Sequence, residues 1–169
     1  MSDIQLEAGA SRPKRVIHTL YKSLVHLQTT LLAVLLVLVT LQILARLIPF
    51  MPHMLWTEEI ARFVLIWMIF LGAAIGVREN THFTVSLVQE PDSKIGAGIW
   101  ELLIALGVFV FAAIFSYRGY KYAMGMFWDI SDIAQISMFW VGSAIPVFGL
   151  LALIFILESV VSQIKKMRA

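Results

Sequence analysis

The sequence predicts an all-α integral membrane protein with four transmembrane helices, on three observations. Of the 169 residues, 60% are hydrophobic and only 14% are charged, outside the range of a soluble domain of this size. Leu, Ile, Val and Phe gather in four blocks, each near the roughly 20 residues that cross a bilayer. The polar residues fall between these blocks, and no connector is long enough to fold alone. Hydrocarbon offers backbone N–H and C=O groups no partner, so each block is expected to be helical.

Taken in order, residues 1–23 form a polar tail carrying Arg12, Lys14, Arg15 and Lys22, and residues 24–47 form the first span. That apolar run is longer than a signal-peptide core and has no small-residue cleavage site, so it reads as a retained span. Pro49 and Pro52 break the chain after it. Thr57 is the expected N-cap of the second span, 59–77, with Glu58 and Glu59 set against the positive helix end. Between Phe63 and Val77 there is no Asp, Glu, Lys or Arg. From His82 to Val88 apolar and polar residues alternate before Pro91 and Asp92, a pattern that fits an interfacial helix or an extended connector.

The third span is expected over 99–117 and the fourth over 137–157, closing a membrane domain of 24–161, with a basic tail at 162–169. Between these two spans, 118–136 is rich in Tyr, Phe, Met and Trp and carries Asp129 and Asp132. A connector so apolar is expected to be covered by lipid headgroups or another protein. Pro146 removes a backbone hydrogen bond and collides with the carbonyl of Gly142, which predicts a kink there. With Gly142 and Gly149 nearby, the backbone would be open to close contact with a partner.

Counting Lys and Arg on alternate sides gives nine on the side of both tails (Arg12, Lys14, Arg15, Lys22, Arg78, Lys94, Lys165, Lys166, Arg168) against four on the other (Arg46, Arg62, Arg118, Lys121). This bias places both termini in the cytoplasm. Trp56, Trp100, Trp128 and Trp140 lie near span ends, where indoles favour the headgroup layer. The basic residues belong to membrane edges, so the net charge of +2 is no sign of a nucleic-acid partner.

Several chemistries find no support. Cysteine is absent, which excludes disulfides and thiolate sites. His18, His26, His53 and His82 form no i, i+4 pair and none stands at mid-depth, so neither metal nor haem is expected. Hydrolase patterns such as GxSxG and HExxH are missing, and neither an enzyme nor a cofactor is expected. An independent ion-coupled carrier usually has an ionisable group at mid-membrane, and none of the four spans has one. Glu101, Glu158 and Arg46 lie about a turn inside a boundary, where snorkelling or a neighbour satisfies them.

The candidate functional surface is on the second span. On a helical wheel Glu58, Arg62, Leu65, Ile66, Ile69, Gly72, Ala73 and Gly76 share one stripe, charged at its head and small at its tail, with Phe63 and Trp67 pointing away. Glu58 precedes Arg62 by four residues, the favourable order for an intrahelical ion pair. Gly72 and Gly76 make a GxxxG step that admits a second backbone. The subunit-interface candidates are therefore Glu58, Glu59, Arg62, Ile69, Gly72, Ala73 and Gly76.

The run EEIARFVLIWMIFLGAAIGVRENTHF resembles the signature of the small permease subunit of tripartite ATP-independent periplasmic (TRAP) transporters, the DctQ-like family. The matching positions are Glu58, Glu59, Arg62, Trp67, Leu71, Gly72, Ala73, Arg78 and His82, and ISMFWVGSAIPVFGLL resembles the family's last span with Trp140 and Pro146. The stretch from Met124 to Gln135 matches no part of that pattern. The resemblance implies a non-catalytic inner-membrane partner of a large permease subunit, which holds the substrate and sodium sites. A periplasmic substrate-binding protein delivers an organic acid, and the small subunit braces a fixed scaffold against which the transport domain moves. In this setting Asp129 and Asp132 become candidate contacts with the binding protein, and Trp67, Arg78, His82 and Pro146 structural residues. Membrane lipids cover what the partners leave. The competing readings are an autonomous four-helix carrier acting as a homodimer, and a membrane enzyme or electron carrier. The transported acid is not legible, since the selective site would lie on other chains.

Overall fold

The computed structural model describes residues 12–48, 55–79 and 94–167. His53, Pro49, Pro52, His82 and the 80–93 connector lie outside the described residues, as does Arg168. The described chain is helical apart from one hairpin: α1 (Arg12–Leu47), α2 (Leu55–Glu79), α3 (Lys94–Gly125), a short α4 (Met138–Gly142) and α5 (Ala144–Met167). Four helical segments are long and apolar enough to cross a membrane, the fourth being α4 and α5 together.

Each helix outruns its apolar block. α1 begins at Arg12 and α3 continues through Arg118 and Lys121 to Gly125, because a helix already formed in lipid adds polar residues without a new nucleation cost. α2 starts at Leu55, so Thr57 is a first-turn residue and not the N-cap; it is buried, and its carbonyl accepts a hydrogen bond from Gln42 Nε2 at 3.1 Å. The fourth span breaks at Ser143, three residues before Pro146. Pro146 thus occupies the first turn of α5, where a missing N–H costs little.

The four long helices stand in a row. α3 packs most extensively on α5, α5 on α2, and α2 on α1, while α1 and α3 make no extensive contact with each other. The α3–α5 seam is made of small residues. Ala112, Ser116, Gly119 and Ala123 recur at steps of four, three and four along α3; Ala123 meets Gly142 of α4, Ser116 meets Gly149, and Ala112 shares a buried cluster with Ala152. A Cβ on Gly149 would lie 2.7 Å from both Cα and N of Ser116, and one on Gly119 would lie 2.6 Å from Ile145 Cγ2. Gly142 and Gly149, expected to be open to an outside partner, are therefore occupied by α3 of the same chain. Phe148 extends this seam toward α2, meeting Phe115 edge-on and Phe70 at a tilt, each at 5.9 Å between ring centroids.

The α1–α2 seam has a different design. Ile17, Tyr21, Leu24, Gln28, Leu31, Leu35, Leu38, Gln42 and Ala45 of α1 are half-buried or buried at a spacing of alternating four and three, and near the start of the helix His18, Leu20 and Val25 widen this stripe. That period of 3.5 keeps one stripe against a neighbour along the whole helix. Within it Gln28 Nε2 donates to Met68 O and Gln42 Nε2 to Thr57 O, both at 3.1 Å. These two rungs stand fourteen residues apart and fix the register of α1 on α2.

Gly149→Ala is expected to lower stability by about 1–3 kcal/mol, the usual cost of overpacking, seen as a lower melting temperature in detergent. Gly107→Ala, with nothing within 4 Å of the new Cβ, is expected to be neutral or slightly stabilising.

Candidate subunit interface

α2 is enclosed by α1 and α5, and what remains open is a single stripe. Glu58, Arg62, Leu65, Ile69 and Ala73 are exposed, at steps of four, three, four and four. Gly72 leaves the expected stripe: it is half-buried, and a Cβ there would meet Gln28 Nε2 at 3.3 Å. Gly76 is likewise half-buried. Gly72 thus makes room for a side chain of α1.

The charges at the head of α2 do not pair as the sequence suggested. Glu58 meets Arg46 of α1 at 3.9 Å, and both side chains are largely exposed. Among the described residues Arg62 has no ion-pair partner, and its side chain is exposed. The helix-to-helix pair replaces the expected Glu58–Arg62 pair because the α1–α2 register brings Arg46 to Glu58. From Glu58 to Arg78 is about 30 Å along the helix, the thickness of the hydrocarbon core. Arg62 then lies about 6 Å below the level of the Arg46–Glu58 pair.

Glu59 turns the other way, its Oε2 accepting the Ala134 N–H at 2.6 Å. This bond fastens to α2 a compact hairpin spanning 126–137, much shorter than the expected 118–136 connector. The hairpin is closed by an antiparallel bridge between Ile130 and Ser137, by Ser131 N–H to Ile136 O, and by Met138 N–H to Asp129 O, the last two at 2.9 Å. Its turn holds Gln135 at a φ of 55°, with Nε2 donating to Asp132 O at 3.1 Å. Ser131 is buried beneath the turn, and its Oγ accepts from Ile136 N. Asp129 and Asp132 are exposed, and Trp128 between Phe127 and Asp129 is 86% exposed.

Trp67 explains how the fourth span tolerates its break. Pro146 carries no N–H, and the helix restarts after Ser143. Trp140 O instead accepts Trp67 Nε1–H at 3.1 Å and Ser143 Oγ–H at 2.8 Å. Helix breaks in membranes persist where neighbours supply such bonds. Glu59 and Trp67, two turns apart on α2, together hold the hairpin and α4.

The opposite end of the row is clamped by Arg78. Its Nε lies 3.4 Å from Glu158 Oε2 on α5, with side-chain exposures of only 17% and 22%. Its guanidinium sits 4.4 Å from the Tyr21 ring centroid and 5.7 Å from that of Phe155, within cation–π range. Tyr21 O–H donates to Glu79. Arg78, itself set between the Tyr21 and Phe155 rings, thus satisfies Glu158, and Arg46 is met by Glu58. Sequence reasoning missed Tyr21, Gln28 and Gln42 as fastening residues. Their spacing of seven and fourteen along an otherwise apolar helix was the available signal.

A row of four membrane-length helices, with a stripe of α2 carrying Glu58 and Arg62 left exposed, defines a multi-pass membrane protein. The comparisons with known proteins give the class. Residues 35–166 match the family described as tripartite ATP-independent periplasmic transporters, DctQ component, and the chain belongs to that family of inner-membrane small permease subunits. It is 29% identical over 138 residues to the sialic acid TRAP transporter small permease protein SiaQ of Vibrio cholerae, covering 80% of this chain and 78% of that one. A putative TRAP transporter small permease protein of Haemophilus influenzae is 33% identical over 86 residues, 51% of this chain and 53% of its own. The sialic acid TRAP transporter permease protein SiaT of Haemophilus influenzae is 29% identical over 114 residues, 65% of this chain but only 18% of that longer protein.

Replacing Arg78 by Gln is expected to cost on the order of 2 kcal/mol of stability, since it leaves a half-buried carboxylate unpaired. In a double-mutant cycle, Arg78→Gln with Glu158→Gln is expected to recover part of that loss, read from melting temperatures in detergent. Gln28→Leu and Gln42→Leu are each expected to cost about 0.6 kcal/mol and at most about 1.7.

Proposed function

We propose that this chain braces the large permease subunit of a TRAP-type secondary transporter during sodium-driven uptake of an organic acid, and helps dock the periplasmic substrate-binding protein. The observation that carries this reading is a contrast between two open stripes. On α5 the exposed residues of the stripe are Leu150, Ile154, Leu157 and Val161, all large aliphatics that lipid accommodates at no cost. On α2 the open stripe has Arg62 at its head and Ala73 at its tail, which suits a protein neighbour supplying an acidic group or exposed carbonyls and a close-packed backbone.

The SiaT relationship supports the same assignment. There a stretch similar to this chain makes up under a fifth of a longer permease protein, which supports a place for this chain beside a large permease. The Vibrio cholerae relative is named for sialic acid, itself an organic acid, which supports that substrate class here. Transport by an elevator-like motion requires a static wall, and a row of helices clamped at one end by Arg78 and at the other by Glu59 supplies one. With both tails in the cytoplasm, as the nine-to-four basic bias indicates, the 126–137 hairpin faces the periplasm. Asp129, Asp132 and the exposed Trp128 then form the docking surface, since rigid aromatics flanked by polar groups make strong contact sites.

Arg62→Glu is expected to lower recovery of the large subunit in co-purification at least several-fold while leaving the helical content of this chain intact. Recovery and uptake equal to the unaltered complex would refute the α2 interface. This chain reconstituted alone is expected to show no uptake, and robust uptake would favour the autonomous homodimeric carrier. Trp128→Ala with Asp129→Asn and Asp132→Asn is expected to weaken capture of the binding protein without affecting assembly with the large subunit.

A further inference from the structure

From the register between helices we infer that the row crosses the bilayer obliquely, so that its lipid-facing belt slants from α1 to α3 and α3 leaves the hydrocarbon at Arg118. Heights can be carried from helix to helix. Gln28 meets Met68 and Gln42 meets Thr57, which levels α1 with α2. Phe148 meets Phe70 and Glu158 meets Arg78, which levels α5 with α2. Ser116 lies against Gly149 and Ala123 against Gly142, which levels α3 with the fourth span. Across these contacts Arg118 stands at the height of Val147 and of Met68, midway between Glu58 and Arg78. Lys22 stands near the height of Gly76, and Arg46 beyond that of Thr57. The run free of Asp, Glu, Lys and Arg is 23–45 in α1 and 102–117 in α3. Relative to α1, the limits of the α3 run are displaced toward the Arg78 end, by about 24 Å at Arg118 and about 13 Å at Glu101.

A bilayer perpendicular to the helices suits α1 and α3 badly at once. It would hold Arg118 and Lys121, both exposed, deep in hydrocarbon, where an ionisable group is expensive. Among the described residues Arg118 has no ion pair, Lys121 meets the Tyr117 ring at 4.7 Å, and the hydroxyls of the exposed Tyr117, Tyr120 and Tyr122 have no hydrogen-bond partner. The same bilayer would leave the exposed Leu102 and Leu103 in water beyond Arg78. Inclining the row in its own plane removes both conflicts. α1 and α3 are three interaxial distances of about 9 Å apart, so a mean offset of about 19 Å corresponds to an inclination of about 35°, inside the range of membrane helices. Arg118 then reaches the hydrocarbon edge, the three tyrosines enter the headgroup layer that such rings favour, and the turns up to Gly125 stand clear of hydrocarbon with the hairpin. α2 lies near the middle of the row, where its ends shift least. The placement follows from this chain's own packing and holds whether or not the hairpin meets another protein.

The chain has no cysteine, so single cysteines at exposed positions can carry a nitroxide label without background. In the full-length chain reconstituted in vesicles of phosphatidylcholine and phosphatidylglycerol, depth is read from the ratio of collisions with oxygen and with a water-soluble nickel chelate. Ile69→Cys on α2 and Tyr117→Cys on α3 share one height along the helices, as do Leu65→Cys and Tyr120→Cys. Within each pair the α3 label is expected about 10 Å closer to the headgroups, because two interaxial distances separate α2 from α3. A label at Leu103→Cys is expected in hydrocarbon. Equal depths within a pair, or a Leu103 label in water, would each overturn the oblique crossing. Circular dichroism accompanies every variant, and should one pair misfold, the other decides with the same two outcomes.

Discussion

In hydrocarbon, one leucine gains nothing by leaving lipid for another leucine, so helices stay together only where backbones approach closely or polar groups have no alternative. That constraint organises the whole chain. Between α3 and α5 it is met by small residues, with Gly149 set directly against the backbone of Ser116. Between α1 and α2 it is met by hydrogen bonds from Gln28 and Gln42 to carbonyls of the facing helix. At the ends, where the dielectric rises, the same task falls to Arg78 with Glu158 and to Glu59 with the Ala134 N–H.

The consequence is a row of helices with little interior. The core is a narrow band around Leu71, Ala74, Phe148, Ala152 and Phe155, while α1 and α3 leave most of their large side chains exposed. Hydroxyls on α1 are already satisfied within the helix, Thr29, Thr30 and Thr40 each bonding the carbonyl four residues back, so these faces make no demand on a partner. α2 differs, because Arg62 is left open about a turn inside the membrane. The proposal of a brace rests on that difference and on membership of the DctQ family.

Much of this was legible in the sequence. Block length and composition located all four spans, since the bilayer imposes its thickness on any helix that crosses it. Glu58, Arg62, Leu65, Ile69 and Ala73 were placed on one face by the helical period alone. What failed were statements that depend on register between helices. Glu58 was expected to meet Arg62 four residues on, but it meets Arg46 across the α1–α2 seam. Gly72, Gly142 and Gly149 were expected to receive an outside partner, yet they receive Gln28, Ala123 and Ser116 of the same chain. A single helix wheel shows which residues share a face, and only the packing says what that face meets. The hairpin was opaque for another reason, since its shape depends on Gln135 adopting a positive φ and on a bond to Glu59, 75 residues away in sequence.

The absence of cysteine makes the most direct test of the central claim a clean one. Single cysteines introduced along the α2 stripe, at Leu65, Ile69 and Ala73, and along the α5 stripe, at Leu150, Ile154 and Leu157, can be coupled to a short photo-crosslinker in membranes containing the assembled transporter. The account predicts adducts with the large permease subunit from the α2 positions and lipid adducts from the α5 positions. Lipid adducts alone from α2, or large-subunit adducts confined to α5, would contradict it.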